Sequence, residues 1–320
     1  MIRRCLYCYS TLYKTELDFH EKCSLKFFGS QIPPEINLDK KGLEKLAKEI
    51  VIRSIAITGV QPKLSLTIEK IPGDNKKSRM TIVGVNGNYI LKPQSEEHSS
   101  LPENEDVTMH LAELIGIKTA EHSLIRIKSG DLAYITKRFD RSDNYRINGK
   151  KFHCEDLCQL SEMLTEHKYK SSMEKTGKII KKYSSYPMLD ALAFFEIAIF
   201  SFITGNADMH LKNFSLLKDK KDNYLLAPCY DLLSTKLAVP EDNEELALTI
   251  NGRKNKIGRK DFDALGLNLE LNEKQLSSVY KNFKEKFKEL IELIKISFLS
   301  EDFKIEYCKL VKDRLMKLKL

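Results

Sequence analysis

The stretch LDALAFFEIAIFSFITGNADMHLKNFS, Leu189–Ser215, contains the two features that decide the fold. Its first part, Leu189 to Phe202, is apolar in almost every position, and a helix that is apolar all round is buried. Its second part, which ends in Asn213, places an Asp, a His, a Lys and an Asn within six residues. The sequence therefore predicts a rigid core helix with a chemically capable polar loop at its end.

The spacing within this loop indicates phosphoryl transfer. Asp208 and Asn213 have the D-x-x-x-x-N spacing of a protein-kinase catalytic loop. In that chemistry the Asp accepts the proton of the substrate hydroxyl and the Asn holds magnesium, while Lys212 could neutralise charge on the transferred phosphoryl group. The motif alone is weak, because a helix end at Gly205 and Asn206 followed by an ordinary polar loop would have the same letters.

A second segment strengthens this interpretation. Asp231 lies eighteen residues after Asn213, in APCYDLLST, where a second magnesium-binding Asp is expected. An Asp that merely begins a turn is the alternative. The two segments in this order and at this distance are more specific than either one.

The first half of the chain offers the remaining phosphate-binding groups. Lys92 ends the β-like run YILK, and Glu105 lies thirteen residues later, near the start of a predicted helix, where it could pair with the lysine. An exposed pair would stabilise the fold by less than ~1 kcal/mol, so its use would be to orient the lysine. There is no G-x-G-x-x-G motif, and TGVQPKLSL (Thr58 to Leu66) could be a phosphate loop or an ordinary strand entry.

The pattern of apolar residues changes near residue 140. Before it, Leu64, Leu66 and Ile68 alternate as in a half-buried strand, and two hairpins are predicted, with turns at Val85–Gly87 and Ser129–Asp131. A helix is predicted over Pro102–Ile117 between them. After residue 140 the period is helical, including 274–299 and the tail, apart from a turn between two short strands near 218–225.

These patterns predict an α+β, two-lobed fold with a β-rich N-lobe and an all-helical C-lobe. The predicted divisions are an N-terminal segment over 1–50, the N-lobe over 51–138 and the C-lobe over 139–320.

Composition agrees with a protein of the cytoplasm. The chain has 320 residues and 42% hydrophobic residues, and its start, MIRRCLYCYS, lacks the apolar region of a signal peptide. No apolar run approaches the ~20 residues of a membrane span. The net charge of +8 favours anionic partners such as nucleotides or nucleic acid, although surface lysines would give the same value.

The seven cysteines fall into two groups. Cys5, Cys8, His20 and Cys23 form C-x2-C-x11-H-x2-C, two close pairs of soft ligands that suit a tetrahedral zinc site. Reduced thiols packing a small hairpin are the alternative. The others are expected to be reduced, buried or half-buried thiols: Cys154, Cys158, Cys229 and Cys308.

Taken together, the motifs resemble the HipA-like serine/threonine kinases of bacterial toxin–antitoxin systems. The resemblance runs from about Ser54 to Thr235 and rests on TGVQPKL, YILKP, ENE, KRFDR, EDLCQL, GNADMHLKNFS and APCYDLLST. It implies a kinase fold that uses ATP and magnesium, with Asp208 as catalytic base, helped by Lys92 and Lys212, and Asn213 and Asp231 as metal ligands. It also implies a nucleotide site formed by Thr58, Gly59, Val60, Gln61, Lys63, Lys92, the hinge Lys137, Arg138 and Phe139, Gln159, His210, Lys212, Asn213, Tyr230 and Asp231.

Two departures from HipA point to the shorter HipT type. The part before the nucleotide loop is shorter than in HipA, and in the HipT type a separate HipS-like small antitoxin supplies the missing subdomain, beside a HipB-like DNA-binding protein. The autophosphorylated serine of HipA falls at Ala56, whereas Ser54 matches the first serine of the Ser-Ile-Ser motif in HipT-like kinases. Ser54 is therefore the expected autophosphorylation site, with Thr58 second.

The resemblance implies a target among the aminoacyl-tRNA synthetases, tryptophanyl favoured and glutamyl second, whose phosphorylation would inhibit translation. Two other classes remain open. One is a DNA-associated regulatory module with vestigial catalysis, although the chain has no DNA-reading motif of its own and DNA contact would be indirect. The other is a small-molecule or lipid kinase with the same phosphate machinery.

Overall fold

The computed structural model describes residues 3–37, 42, 63–71, 73–83, 87–142 and 151–320. The expected phosphate loop residues Thr58 to Gln61 and the expected phosphorylation site Ser54 lie outside these residues. Two compact units divide the chain. The N-terminal unit comprises Met1–Asp106 and Ala120–Phe139, and the C-terminal unit comprises Val107–Thr119 and Asp140–Leu320.

An antiparallel sheet forms the centre of the N-terminal unit. Its strand order is β2-β1-β3-β5-β4, and a short helix, α1, precedes it in the chain. The alternating apolar residues of β1 predicted this strand, and Leu64 and Leu66 are indeed buried. The bounds are α1 Glu21–Phe28, β1 Leu64–Ile71, β2 Asp74–Ile82, β3 Tyr89–Lys92, β4 His122–Arg126 and β5 Leu132–Lys137.

The first predicted hairpin is wrong. Strands β2 and β3 are not neighbours, because both pair with β1: Leu66 lies opposite Ile82 on one side and Tyr89 on the other. The glycine of the Asn-Gly pair, which suggested the hairpin, is needed for a different reason. A Cβ on Gly87 would lie 2.3 Å from the Leu66 carbonyl oxygen, so glycine is required where the chain passes directly over β1.

The second predicted hairpin is confirmed. Strands β4 and β5 pair antiparallel, with Leu124 opposite Tyr134, and Gly130 in the connecting turn has a φ of +92°. The predicted helix between the hairpins is α2, Leu101–Leu114, and Gly116 just beyond it has a φ of +94°, as expected of a glycine that ends a helix.

The C-terminal unit is mainly rather than entirely helical, because it also carries a three-stranded sheet of order β6-β7-β8. Strands β7 and β8 are the two short strands expected around residues 218–225. The bounds are β6 Cys154–Asp156, α3 Leu157–Leu160, α4 Met173–Tyr183, α5 Pro187–Thr204, β7 Ser215–Lys218, β8 Tyr224–Leu226, α6 Thr235–Ala238, α7 Arg259–Asn268, α8 Glu273–Ile296 and α9 Glu301–Lys317, with 3-10 turns at Thr165–His167 and Leu211–Asn213.

Helix α5 is the apolar run of the opening stretch. It is long and apolar enough to cross a membrane by length and composition, with a mean hydropathy of 1.6, yet 67% of it is buried inside the protein. Core helices of soluble proteins share these properties. Its last two turns are buried on all sides, which includes Phe200, Phe202 and Thr204.

Backbone hydrogen bonds cap the C-terminal end of α5. Gly205 has a φ of +68°, its N–H donates to the Phe202 carbonyl at 3.2 Å, and the Asn206 N–H donates to the Ser201 carbonyl at 2.8 Å. This pair of bonds is the Schellman motif, which satisfies carbonyls that would otherwise be unpaired in the core. The turn also fixes the direction in which the polar loop leaves the helix.

We expect Gly205→Ala to destabilise the C-terminal unit more than Gly252→Ala does. Both glycines have a positive φ, +68° and +73°, so both alanines incur about 1–2 kcal/mol of backbone strain. Only at Gly205 would the new Cβ also lie 2.8 Å from Leu310 Cδ2, which adds about 1–3 kcal/mol of overpacking. Calorimetric melting temperatures of the two variants test this, and equal losses would contradict it.

Candidate active site

The loop that follows α5 is anchored at several points within the C-terminal unit. The Asn206 side chain is buried, and its Oδ1 accepts a hydrogen bond from the Asp208 N–H at 3.0 Å. The Ala207 N–H donates to Thr235 Oγ1 at 2.8 Å, and that hydroxyl donates to the Gly205 carbonyl at 3.0 Å. The backbone around Asp208 is therefore fixed by the end of α5 and the start of α6.

Asp208 presents its carboxylate to solvent while its backbone is held. Its side chain is 40% exposed, whereas its carbonyl oxygen accepts bonds from Asn213 Nδ2 at 2.9 Å and from the His210 N–H at 2.8 Å. The bond from Asn213 joins the two ends of the D-x-x-x-x-N motif directly. The structure therefore gives the motif one geometry, with an accessible carboxylate at its first position.

Tyr169 is a contact of Asp208 that the sequence did not predict. Its hydroxyl donates a hydrogen bond to Asp208 Oδ1. Burial, and then the neighbouring Asp208 carboxylate, raise the pKa of Tyr169 above its usual value, so the hydroxyl keeps its proton as a donor. The ring also packs edge-on against His210, with centroids 4.9 Å apart, and His210 Nε2 lies 3.8 Å from Asp208 Oδ1.

The Lys212 amine forms an ion pair with a carboxylate from another element. Its Nζ lies 2.7 Å from Asp156 Oδ2, and Asp156 is the residue that caps α3. The cap is reciprocal: Asp156 Oδ1 accepts from the Gln159 N–H at 3.0 Å, and Gln159 Oε1 accepts from the Asp156 N–H at 2.8 Å. Gln159, expected to contact the nucleotide, thus has its amide oxygen engaged in the cap.

The segment that contains Asp231 is tied to the same loop through Tyr230. The Tyr230 hydroxyl donates to the Lys212 carbonyl at 2.8 Å and contacts Ser215 Oγ at 2.6 Å. Burial raises the pKa of Tyr230, so it remains a donor. Asp231 itself has a φ of +57°, a strained conformation for a residue with a side chain, and strain of this kind concentrates at functional sites.

In the N-terminal unit, Lys92 and Glu105 form a buried ion pair. Lys92 Nζ lies 2.5 Å from Glu105 Oε1, and the two side chains are 4% and 2% exposed. The pair expected from their spacing is thus present, but it is buried rather than exposed, so its two charges interact strongly and the loss of either would leave the other uncompensated. The lysine also lies 5.3 Å from the centroid of the Tyr134 ring.

The other residues expected at the nucleotide site in this unit lie at strand ends. Lys63 is exposed directly before β1. Lys137 ends β5 with its Nζ 3.5 Å from Glu121 Oε2, and the Arg138 N–H donates to the Asn88 carbonyl at 2.8 Å. Phe139 is half-buried at the end of the unit.

The N-terminal Cys/His residues converge. The ligand atoms of Cys5, Cys8, His20 and Cys23 all lie within 4.8 Å of one another. His20 Nε2 donates to the Thr11 carbonyl at 3.0 Å, which leaves Nδ1 to face the sulfurs of Cys8 and Cys23 at 3.4 and 3.6 Å. None of the seven cysteines forms a disulfide, and Cys154, Cys158, Cys229 and Cys308 are buried or half-buried thiols, as expected.

The structure therefore brings several of the predicted residues into two groups. Asp208, His210, Lys212 and Asn213 share one loop, to which Tyr230 ties the Asp231 segment. Lys92 forms its own group with Glu105. Sequence reasoning missed Tyr169 and the role of Asp156. The D-x-x-Q capping pattern could have revealed Asp156, but no local signal marks Tyr169, because it lies 39 residues before its partner.

Comparisons with known proteins agree on one family. The model of the HipA-like C-terminal domain matches residues 55–291. A Sinorhizobium fredii protein named "Putative kinase Y4dM" is 29% identical over 81% of this chain, and a Haemophilus influenzae protein named "Putative kinase" is 30% identical over 69%. The serine/threonine-protein kinase toxin HipA of Shewanella oneidensis is 27% identical over 62% of this chain.

Solved structures show the same fold. The chain resembles HipA in the Shewanella oneidensis HipA, HipB and operator DNA complex with a TM-score of 0.67 and 22% identity, over 85% of this chain and 71% of the other. It resembles the Helicobacter pylori proinflammatory kinase CtkA with a TM-score of 0.54 and 16% identity, over 80% of this chain and 93% of the other.

The matches cover 63% of Y4dM, 68% of the Haemophilus protein and 47% of the HipA toxin sequence. The family model, however, matches more than two thirds of this chain, from one unit into the other. The chain belongs to the family of proteins with a HipA-like C-terminal domain.

Proposed function

We propose that the chain is an ATP-dependent serine/threonine protein kinase and the toxin of a toxin–antitoxin system. The single observation that supports this most strongly is the loop geometry around Asp208. An accessible carboxylate lies on a backbone held from both sides by Asn206 and Asn213, with Tyr169 bonded to its oxygen. Phosphoryl transfer depends on such positioning more than on covalent chemistry by the protein.

In the proposed reaction, a serine or threonine hydroxyl of the substrate protein attacks the γ-phosphorus of ATP. A bond forms between the hydroxyl oxygen and the phosphorus, the bond from the phosphorus to the β–γ bridging oxygen breaks, and ADP leaves. Asp208 accepts the hydroxyl proton. Lys212, now paired with Asp156, lies on the same loop and supplies a positive charge for the transferred group.

Asn213 and Asp231 are the residues that would hold magnesium. They provide an amide and a carboxylate oxygen, the hard oxygen ligands that this ion takes, and the Asn213 Nδ2 bond to the Asp208 carbonyl orients the amide with its oxygen free of that bond. When bound, the ion would neutralise charge on the phosphates.

Lys92 is the proposed contact to the phosphates in the N-terminal unit. Glu105 holds its amine at 2.5 Å in a buried setting, so the lysine keeps one orientation without help from solvent. The remaining nucleotide contacts are proposed from the resemblance: the loop Thr58 to Gln61, Lys63, the segment Lys137 to Phe139, and Gln159, His210 and Tyr230.

The target and partners are proposals of the same kind. HipT-like resemblance favours tryptophanyl-tRNA synthetase as the substrate, with the glutamyl enzyme second, and a HipS-like protein and a HipB-like DNA-binding protein as partners in the cytoplasm. The HipA–HipB–operator complex supports a partner of the HipB kind. DNA would then be contacted only through that partner.

We expect Asp208→Asn to abolish labelling of a protein band when γ-labelled ATP is added to cell lysate containing the chain. Loss of the base should reduce the rate by about a hundredfold or more. Asp222→Asn is the matched control, because Asp222 lies in an exposed turn and pairs with Lys218, and it should label like wild type.

Wild-type protein that labels no protein would contradict the proposal. Label in a lipid or another small molecule would favour the small-molecule kinase, and no transfer to anything would favour the vestigial regulatory module.

We expect Ser54→Asp to silence the kinase and Ser54→Ala to leave it active. A phosphate at Ser54 would carry about −1.5 to −2 charges beside the nucleotide loop, where it would repel ATP or displace the loop, and aspartate mimics part of that charge. Steady-state kinetics of both variants, with mass spectrometry of wild type for phosphoserine, measure this. Normal ATP binding and turnover by Ser54→Asp would show the idea to be wrong.

We also propose that Cys5, Cys8, His20 and Cys23 bind one zinc ion. The bond from His20 to the Thr11 carbonyl supports this, because ligating histidines usually donate their other ring N–H to such an acceptor. Metal analysis of purified protein should give one zinc per chain. Cys8→Ser should remove it and Cys308→Ser, far from the cluster in sequence, should not; zinc-free wild type would contradict the site.

A further inference from the structure

The segment 3–28, here called the Cys/His module, has contacts that a metal site alone would not require. It contains one helix of eight residues, and a segment this short needs a bound metal or packing against neighbouring elements to be stable. Beyond that, the module is joined to the sheet. The Leu6 carbonyl accepts bonds from the Leu124 N–H at 3.3 Å and from Ser123 Oγ at 3.1 Å, both on β4.

One contact of the module reaches the helix that carries Glu105. The Tyr9 hydroxyl donates to Asp106 Oδ2 at 2.7 Å, and His122 Nδ1 donates to Asp106 Oδ1 at 2.9 Å. All three side chains are buried, and a buried carboxylate needs hydrogen-bond donors such as these two. Asp106 follows Glu105 directly on α2, and its fixed carboxylate therefore fixes the rotation of the helix that directs Glu105 toward Lys92.

A second route runs through aromatic rings to the lysine. The His122 ring stacks on the Tyr134 ring with centroids 6.0 Å apart, and Lys92 Nζ lies over the same Tyr134 ring at 5.3 Å. The Asp106 network thus borders both members of the ion pair.

A third contact holds the strand of Lys92. Tyr89 Oη donates to the Phe27 carbonyl at 3.0 Å, and the Phe27 and Tyr89 rings meet edge to face with centroids 5.8 Å apart. Phe27 is in α1 of the module, and Tyr89 begins β3, the strand that ends in Lys92. The module therefore contacts the elements of both Lys92 and Glu105.

The backbone of Tyr9 points to the same role. Tyr9 follows the ligand Cys8 directly and has a φ of +60°, a conformation that costs a bulky residue about 1–2 kcal/mol relative to glycine. A glycine would suit this turn better, but it would lack the hydroxyl that reaches Asp106. The position thus combines the turn of the Cys/His cluster with the bond to α2.

We infer that the metal-bound Cys/His module is a clamp that positions the Lys92–Glu105 pair, with Tyr9 and His122 as positioning residues that act through Asp106. The inference rests on the proposed kinase function and on zinc at the cluster. It predicts that removal of the metal, or of the Tyr9 hydroxyl alone, loosens the pair and slows phosphoryl transfer although neither touches substrate.

Hydrogen exchange of the full chain tests the clamp without relying on activity. Zinc-loaded protein, protein treated with a chelator, and chelated protein with zinc restored are compared by mass spectrometry. Exchange should become faster on chelation in peptides covering 89–92 and 101–106, should recover with zinc, and should stay unchanged in 273–296 of the C-terminal unit. Faster exchange confined to 3–28, or spread evenly over the chain, would overturn the inference.

Kinetics of Tyr9→Phe separate positioning from general stability. The variant keeps the ring and all four ligands, so it should retain zinc, yet turnover should fall about tenfold, a loss in the range of couplings within one network. In a Glu105→Gln background the same change should cost nothing further. Tyr13→Phe is the control, because Tyr13 is in the same module but 74% exposed.

A Tyr9→Phe variant with normal turnover, or with the same loss in both backgrounds, would overturn the clamp. Failure of the proposed kinase function would instead appear as absence of turnover in zinc-loaded wild type, and the exchange experiment would then decide the clamp by itself.

Discussion

The end of helix α5 is the constraint on which the loop from Asn206 to Asn213 depends. A helix buried to its last turn must satisfy its final carbonyls inside the protein, and Gly205 and Asn206 do so through the Schellman bonds to Phe202 and Ser201. Once that turn is made, the loop can leave in one direction only. Asn206 and Thr235 then hold the next residues, so the buried helix end fixes the backbone of Asp208, while Tyr169 contacts its side chain.

The N-terminal unit fixes its charged group by a different means. Lys92 lies on a strand and Glu105 on a helix. A buried ion pair of this kind is favourable only when neighbouring groups hold the two side chains in a good geometry. A network of buried side chains lies beside the pair. Tyr9 and His122 donate hydrogen bonds to Asp106, and the Lys92 amine lies over the Tyr134 ring. Directed bonds between buried polar groups restrict the arrangements such a network can adopt, which suits a lysine that is proposed to keep one orientation.

The predictions that succeeded depended on local signals. The periodicity of α5, α8 and β1, the glycine at the β4–β5 turn and the convergence of the four Cys/His side chains all involve residues near one another in sequence. The prediction of the first hairpin failed because long-range burial decides which strands pair. Strand β1 pairs with both β2 and β3, and Gly87 is required by the close approach of the backbone to β1. Tyr169 was missed for the same reason, since its bond to Asp208 joins distant segments.

The sequence by itself determined the α+β composition, the core helix, and the candidate residues of the proposed site, because propensity, periodicity and motif spacing are local properties. Only the tertiary structure decided that the Lys92–Glu105 pair is buried, that Lys212 pairs with Asp156, and that Tyr9 of the Cys/His module reaches the helix of Glu105. These facts depend on which elements pack together, and packing is set by the burial of the whole chain rather than by any segment of it.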